Sequence, residues 1–517
     1  MVIALALLGG LFVMLSILMG GGNEIAAFYQ YLLAVLFVAG IVAPRGAFVF
    51  WVMLCGYTDL LKRFMVLTGR VSFTDLYAVL GIPPIMLTAI TFSVVVGAFS
   101  GRFQLRRLHW NLLVISCLII LATAGFAAHD SGLVIKSVMP AVANNGLYFL
   151  LLFLLPTLFQ TTDEILKLLR LLLWAYLPVA AYGIFQQTYG YREFEIAYLK
   201  SGLTIEIKQL LTSEVRAFST LNSTTALATV CAALFCISVV LPFLAYDSTR
   251  RRRILGWLPA MLFALAYLGG LVASTGRAAL SLIVFGLAGW ICFQSVRKTI
   301  AVYLCGIVGF LLLVFSAESI LANMNLFQDE VTTAVGDGKQ FVRQMTRVGT
   351  YSDRLKGFSN LVRNPDVWTL FGHRVVEDND RSLFSHDILT NSLVHYGMVP
   401  VGVTILLLIA GLFKAHREVL RIRDPLRRQL SAALLGLSLS FIVLSLLAGN
   451  VLVVFPINVF ACLFAGMMLV IFQHDRISVR AEEPVLLQPE PETQQRTVHR
   501  FTRRGALPQL PPPRFAP

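Results

Sequence analysis

Long apolar runs separated by short polar stretches dominate the chain from end to end. Several runs of about 20 residues carry no charged side chain, and at 1.5 Å per residue each can cross a hydrocarbon core. The pattern predicts helical spans near 2–20, 25–43, 47–61, 75–99, 109–128, 137–157, 168–189, 223–245, 254–273, 278–295, 299–317, 391–413, 429–448 and 451–473, about 14 in all. The span at 47–61 is short and contains Asp59, and the span at 75–99 contains Pro83-Pro84, which predicts a kink. The run after Met1 is apolar from its second residue, with no basic stretch ahead of it and no A-x-A cleavage pattern, so it reads as a retained first span.

Composition sharpens this picture. Of 517 residues, 57% are hydrophobic and only 14% are charged, whereas a soluble domain carries about 25% charged residues. Mean hydropathy is +0.76. A soluble enzyme, a β-barrel and a disordered scaffold are excluded. The expected class is all-α: a polytopic transmembrane helical bundle of about 12–14 spans with a large loop subdomain. The seven cysteines all fall in apolar stretches without a CxxC pair, which fits packed thiols.

The net charge of +14 is distributed in short clusters between apolar runs, a pattern that reports orientation and not a nucleic-acid partner. Arg102/Arg106/Arg107, Arg250 to Arg253, Arg297/Lys298 and the stretch from Lys414 to Arg428 mark the cytoplasmic side. Alternation then puts both termini inside and two long connections, 190–222 and 318–390, outside. Lys62, Arg63 and Arg70 fall on the outer side, against the rule. The organisation read this way is an N-terminal bundle (1–189), a first outer loop (190–222), spans over 223–317, a large outer loop (318–390), C-terminal spans over 391–473 and a cytoplasmic tail (474–517). The large loop holds ten acidic and eight basic residues among aromatic and aliphatic ones, a composition that suits a folded subdomain. In the first loop, Phe194, Ile196, Leu199 and Leu203 alternate with charges and suit a segment lying at a headgroup layer. The tail is rich in Pro, Gln, Glu and Arg and cannot build a core.

No Walker, GxSxG, HExxH or strand-to-helix GxGxxG motif is present, so the candidate chemistry rests on ionisable groups at outer span ends. Arg216, in EVRAFSTLNST, either snorkels at the interface or presents a planar fork of donors to phosphate oxygens. Arg277, in a short outer turn (LVASTGRAALSL), stands against the positive-inside bias and so needs a partner. Arg354 leads an amphipathic run (Leu355, Phe358, Leu361, Val362) that ends at Asn364-Pro365 and Gly372, a pattern that by itself also reads as a surface helix and turn. His386 precedes the span near 391, and a neutral imidazole there can accept a proton from a sugar hydroxyl; His395 and His373 compete for that role. The run Glu377, Asp378, Asp380 lacks spaced ligands and reads as a solvated acidic loop.

Together these pieces resemble the bacterial O-antigen ligase and O-antigen polymerase superfamily. The resemblance is carried by His386-Asp387, Leu393, Gly397 and Gly402; by Ser274-Thr-Gly-Arg277; by Arg216 followed by Asn222; and by Arg354, Asn364-Pro365 and Leu370-Phe371-Gly372. It covers roughly residues 200 to 470, with Asp387 in place of the usual Asn and no Ser directly before Arg277. The resemblance implies a GT-C-like inner-membrane glycosyltransferase whose site faces the periplasm. Its donor would be a glycan on undecaprenyl pyrophosphate, its acceptor a glycan, a lipid A core or a protein, with no cofactor and no metal. Arg216, Arg277 and Arg354 would bind the pyrophosphate and His386 would be the general base. Two other functions share the hydropathy: a polysaccharide or lipid transporter, and a non-catalytic subunit of an export complex.

Overall fold

The structure is a computed structural model that describes residues 24–66, 76, 79–130, 135–201, 216–244, 255–309, 311–312, 359, 361–372, 388–449 and 451–482. Among these residues the regular secondary structure is helical throughout, with no strand. The helices are α1 (Glu24–Val42), α2 (Pro44–Leu54), α3 (Thr58–Val66), α4 (Ile82–Phe99), α5 (Arg107–Asp130), α6 (Ile135–Ala141), α7 (Leu151–Leu158), α8 (Thr162–Ala175), α9 (Leu177–Tyr189) and α10 (Glu193–Lys200). They continue as α11 (Thr224–Phe243), α12 (Trp257–Ser274), α13 (Ala279–Cys292), α14 (Ile388–Tyr396), α15 (Met398–Arg421), α16 (Pro425–Ala448) and α17 (Ile457–Glu482).

Nine helical segments among the described residues are long and apolar enough to cross a membrane, and Phe28–Val42, Pro44–Leu54 and Ala279–Cys292 are shorter apolar helices. The protein is therefore an all-α, multi-pass helical bundle. Buried apolar side chains from both halves of the chain form one core, in which Phe48, Trp51, Leu154, Leu169, Ile237 and Phe460 are all fully enclosed. The reading 2–20 as a first span lies outside the described residues.

Local chemistry explains several boundaries that differ from the hydropathy reading. Pro83 and Pro84 do not kink the middle of a span; they occupy the first turn of α4, where a missing N–H costs nothing because no intrahelical partner awaits it. Asp59 does not lie in a span with residues 47–54, because the chain turns after Leu54 and restarts as the separate short helix α3. The stretch beginning near 391 is split at Gly397, whose φ of 82° ends α14 and lets α15 start in a new direction. At the other end, α8 begins earlier than hydropathy suggests because Thr161 and Glu164 form a capping box. The last helix continues to Glu482, past the change in composition near 474.

Contacts between helix ends sort the bundle into two rims. At one rim His109 meets Gln473 at 3.2 Å, Thr299 meets His416 at 3.1 Å and Arg427 lies 3.4 Å from Asp475. The described basic clusters, Arg102 to Arg107, Arg297/Lys298 and Lys414 to Arg428, belong to this rim. The opposite rim gathers α3, the ends of α9 and α12, the segment 216–223 and the turn between α16 and α17. That rim carries the candidate site.

Candidate functional site

The segment 216–222 connects the first outer loop to α11, and a buried polar network fixes its path. Arg63 of α3 is fully enclosed and donates to the backbone carbonyls of Ser219 and Leu221. Its guanidinium also lies 3.6 Å from the Glu195 carboxylate and 4.3 Å from the centre of the Phe218 ring. Glu195, equally enclosed, accepts from the side-chain amide of Gln186 and, at 2.9 Å, from the backbone N–H of Arg192. The carbonyl oxygen of the same Gln186 side chain accepts from the backbone N–H groups of Phe218 and Ser219 at 3.1 and 2.6 Å. Burial draws the Arg63 pKa down while Asp59 and Glu195 oppose that shift, and arginine starts so high that it stays charged.

This network answers the puzzle of cations on the rim where the basic clusters are not. Arg63 is not a surface charge at all, and its neighbour Lys62 is paired with Asp59 at 2.9 Å. Burial acts to lower the Lys62 pKa, but the Asp59 carboxylate and Tyr198 outweigh it, and the net shift is upward. Helix α10 is anchored through Glu195, Tyr198 and Leu199, all buried, and not merely spread on a surface. Arg70 lies outside the described residues.

One predicted site residue, Arg216, bonds to the turn that carries another, Arg277. Arg216 donates from Nε to the hydroxyl of Thr275 at 2.7 Å, and the backbone N–H of Ala217 donates to the carbonyl of Ala273 at 3.2 Å. Tyr191 steadies the backbone of Arg216 from the other side, donating to its carbonyl at 2.8 Å and accepting from its N–H at 3.1 Å. Burial pushes the Tyr191 hydroxyl above its ordinary pKa, which keeps it protonated and able to donate. Arg277 leaves the same turn two positions later, its N–H bonded to the Thr275 carbonyl at 3.0 Å. Both arginines are half-buried. Gly276, between Thr275 and Arg277, approaches α11 so closely that a Cβ there would stand 2.2 Å from the Cβ of Ala228.

The backbone at this junction is unusual. Among the described residues, Ser219 (φ 53°) and Thr275 (φ 54°) are the two non-glycine positions of positive φ. One follows Arg216 by three residues and the other holds its side chain. A β-branched residue in this region is strained, and it persists only where surrounding bonds determine it. Here Gln186 and the carbonyl of Val179 hold Ser219, and Arg216 holds Thr275.

The loop motifs of the large connection also come together. Met398 and Val399 donate from their backbones to the carbonyls of Thr369 and Leu370, at 2.8 and 3.1 Å. Leu370-Phe371-Gly372 thereby docks on Gly397, where a Cβ would stand 2.4 Å from the Gly372 nitrogen. Leu361, Val367, Leu393, Val394 and Val401 form a small apolar core beneath this contact. Arg354, His386, His373 and the acidic run at 377–380 lie outside the described residues.

A cavity of about 510 Å³ with a mixed lining opens beside this rim, bounded by Asp59, Lys62, Asn144, Asn222 and Ser223 and by Pro83, Tyr148, Val451, Val454 and Phe455. Asn144 and Tyr148 reach it from the interrupted helix between α6 and α7, where a π turn (Val142–Gly146) and a 3₁₀ turn (Leu147–Leu150) replace regular α geometry. Neither Thr275, Gln186 and Glu195 nor this cavity was among the sequence candidates; the one available sign was Lys62 and Arg63 standing against the charge rule. Among the described residues no group of three His, Cys, Asp or Glu side chains is placed to hold a metal ion. In comparisons with known proteins the chain matches no family model, no curated protein and no solved structure.

Proposed function

We propose that the protein is a membrane glycosyltransferase that moves a glycan from undecaprenyl pyrophosphate to an acceptor hydroxyl, in the manner of the O-antigen ligases and polymerases it resembles. The observation that carries the reading is that Arg216 bonds the side chain of Thr275 in the turn that also carries Arg277, on the rim opposite the basic clusters, with strained backbone on both contributing segments. Two guanidinium groups from one junction supply planar donor forks for a diphosphate. In the proposed step the acceptor oxygen forms a bond to the anomeric carbon and the bond from that carbon to the pyrophosphate oxygen breaks. The hydroxyl proton passes to His386, and Arg216, Arg277 and Arg354 stabilise the negative charge on the departing lipid pyrophosphate. Direct displacement inverts the anomeric carbon. The basic rim then faces the cytoplasm and the site faces the periplasm of a bacterial inner membrane.

The test is transfer by the purified protein from a lipid-linked glycan in excess EDTA. Free undecaprenyl pyrophosphate and a lengthened acceptor are the expected products, and Arg277→Ala is expected to abolish them with the protein still folded. His386→Ala should lower the rate by about 10²- to 10⁴-fold. Unchanged donor moved across the bilayer would instead identify a transporter, and full transfer by Arg277→Ala would remove that residue from the mechanism.

A further inference from the structure

Two segments 117 positions apart bring their cations together on the basic rim. Thr299, near the start of the helical stretch 296–309, shares a hydrogen bond with His416 of α15 at 3.1 Å, and the Phe293 ring lies 5.6 Å from the imidazole. His416, Val419 and Ile422 are buried, so the inner face of the last turns of α15 is sealed. Lys414, Arg417 and Arg421 stand on the opposite face, where steps of three and four residues stack side chains, and Arg423 follows them. All four are exposed, as are Arg297 and Lys298 beside Thr299.

Charge on this patch is uncompensated. Glu418 pairs with Arg421 at 3.2 Å and Asp424 with Arg427 at 3.1 Å. Arg297, Lys298, Lys414, Arg417 and Arg423 are left without a carboxylate partner among the described residues. Like charges at these spacings repel, so an anion that bridges them is stabilised. Toward the membrane, the next turns of both helices are apolar and exposed, with Ile300 and Leu304 on one and Ile409 and Phe413 on the other. A free anion has no use for that surface, whereas a phospholipid satisfies both halves of the patch. We infer that the patch binds an anionic phospholipid of the leaflet at the basic rim, its headgroup phosphate against the five unpaired cations and its acyl chains along the exposed apolar turns. The inference stands apart from the transferase reading, because it concerns the opposite rim and no reacting group.

The full chain in phosphatidylcholine nanodiscs is probed by electron spin resonance with trace spin-labelled phosphatidylglycerol or phosphatidylcholine. The motionally restricted fraction of each label measures its association with the protein. The wild type should prefer phosphatidylglycerol several-fold, and the preference should shrink as salt screens the cations. Lys414→Gln/Arg417→Gln/Arg423→Gln should remove at least half of that preference, and so should Arg297→Gln/Lys298→Gln, because the two segments form one patch. Arg102→Gln/Arg106→Gln/Arg107→Gln, which removes equal charge elsewhere on the rim, should leave most of it. Should the first variant fail to fold, Arg297→Gln/Lys298→Gln decides. No preference in the wild type, an undiminished one in the folded patch variants, or an equal loss in the Arg102/Arg106/Arg107 control overturns the site. Displacement of the labelled lipid by inorganic phosphate, but not by chloride of the same ionic strength, would assign the patch to free phosphate and overturn the lipid.

Discussion

Arg216 Nε donates to the Thr275 hydroxyl at 2.7 Å across 59 positions of sequence, and the acceptor of that bond sits in a left-handed conformation that threonine disfavours. Strain and hydrogen bond are thus coupled at one residue, and substitutions can separate them.

Thr275→Val keeps the strain and removes the acceptor, whereas Thr275→Gly removes both. A net hydrogen bond and a strained φ are each worth about 1 kcal/mol, so the glycine variant should melt near the wild type and the valine variant several degrees lower. Both should lose transfer by about 10²-fold if the Arg216 fork must be held in place. Thermal melts beside initial rates in one nanodisc preparation check the divergence.

Gly276→Ala is expected to destabilise the turn by about 1–3 kcal/mol, since the new methyl collides with Ala228 and the contact is with a short side chain that cannot swing away. Ala228→Gly in the same chain should restore most of the stability and activity. Failure of the second change to rescue the first would mean that Gly276 matters for its backbone and not for its space.

Removing one partner of the buried Arg63–Glu195 pair should be costly, because the other charge is left enclosed. Glu195→Gln and Arg63→Met are each expected to destabilise by about 3–5 kcal/mol, and the double variant by less than the sum. A double-variant cycle read by chemical denaturation supplies the coupling.

Lys62 gives a pH signature. Its pKa in the folded protein lies above the usual lysine value, so the stabilisation from its pairing with Asp59 is fully present below the unfolded value of about 10.4 and is lost as pH rises through the folded one. The stability difference between the wild type and Asp59→Asn/Lys62→Met should hold constant from pH 6 to about 10 and then change as Lys62 loses its proton. Melting temperatures across that window measure it.

Much of this architecture is written in hydropathy. The apolar runs that become α4, α5, α11, α12, α15, α16 and α17 are legible because each side chain facing lipid or core must be apolar, and the basic clusters mark one rim. The boundaries that went astray share a cause: Asp59, Pro83 and Gly397 act through local backbone geometry that an average over 20 residues smooths away. The arginines at 216 and 277 could be singled out by sequence, but the bond from Arg216 to the turn that carries Arg277 could not, because it depends on how α9, α11 and α12 pack. Thr275 was illegible for another reason. A threonine beside a glycine reads as an ordinary turn, and its φ is visible only in three dimensions.

The reach of Arg63 into the carbonyls of Ser219 and Leu221 means that the N-terminal helices are not a separable anchor. Chimeras that graft residues 216 onward from one such protein to the front half of another would bring a guanidinium or its carbonyl sockets without the counterpart. Modular exchange should succeed only when α3 travels with the segment it clasps.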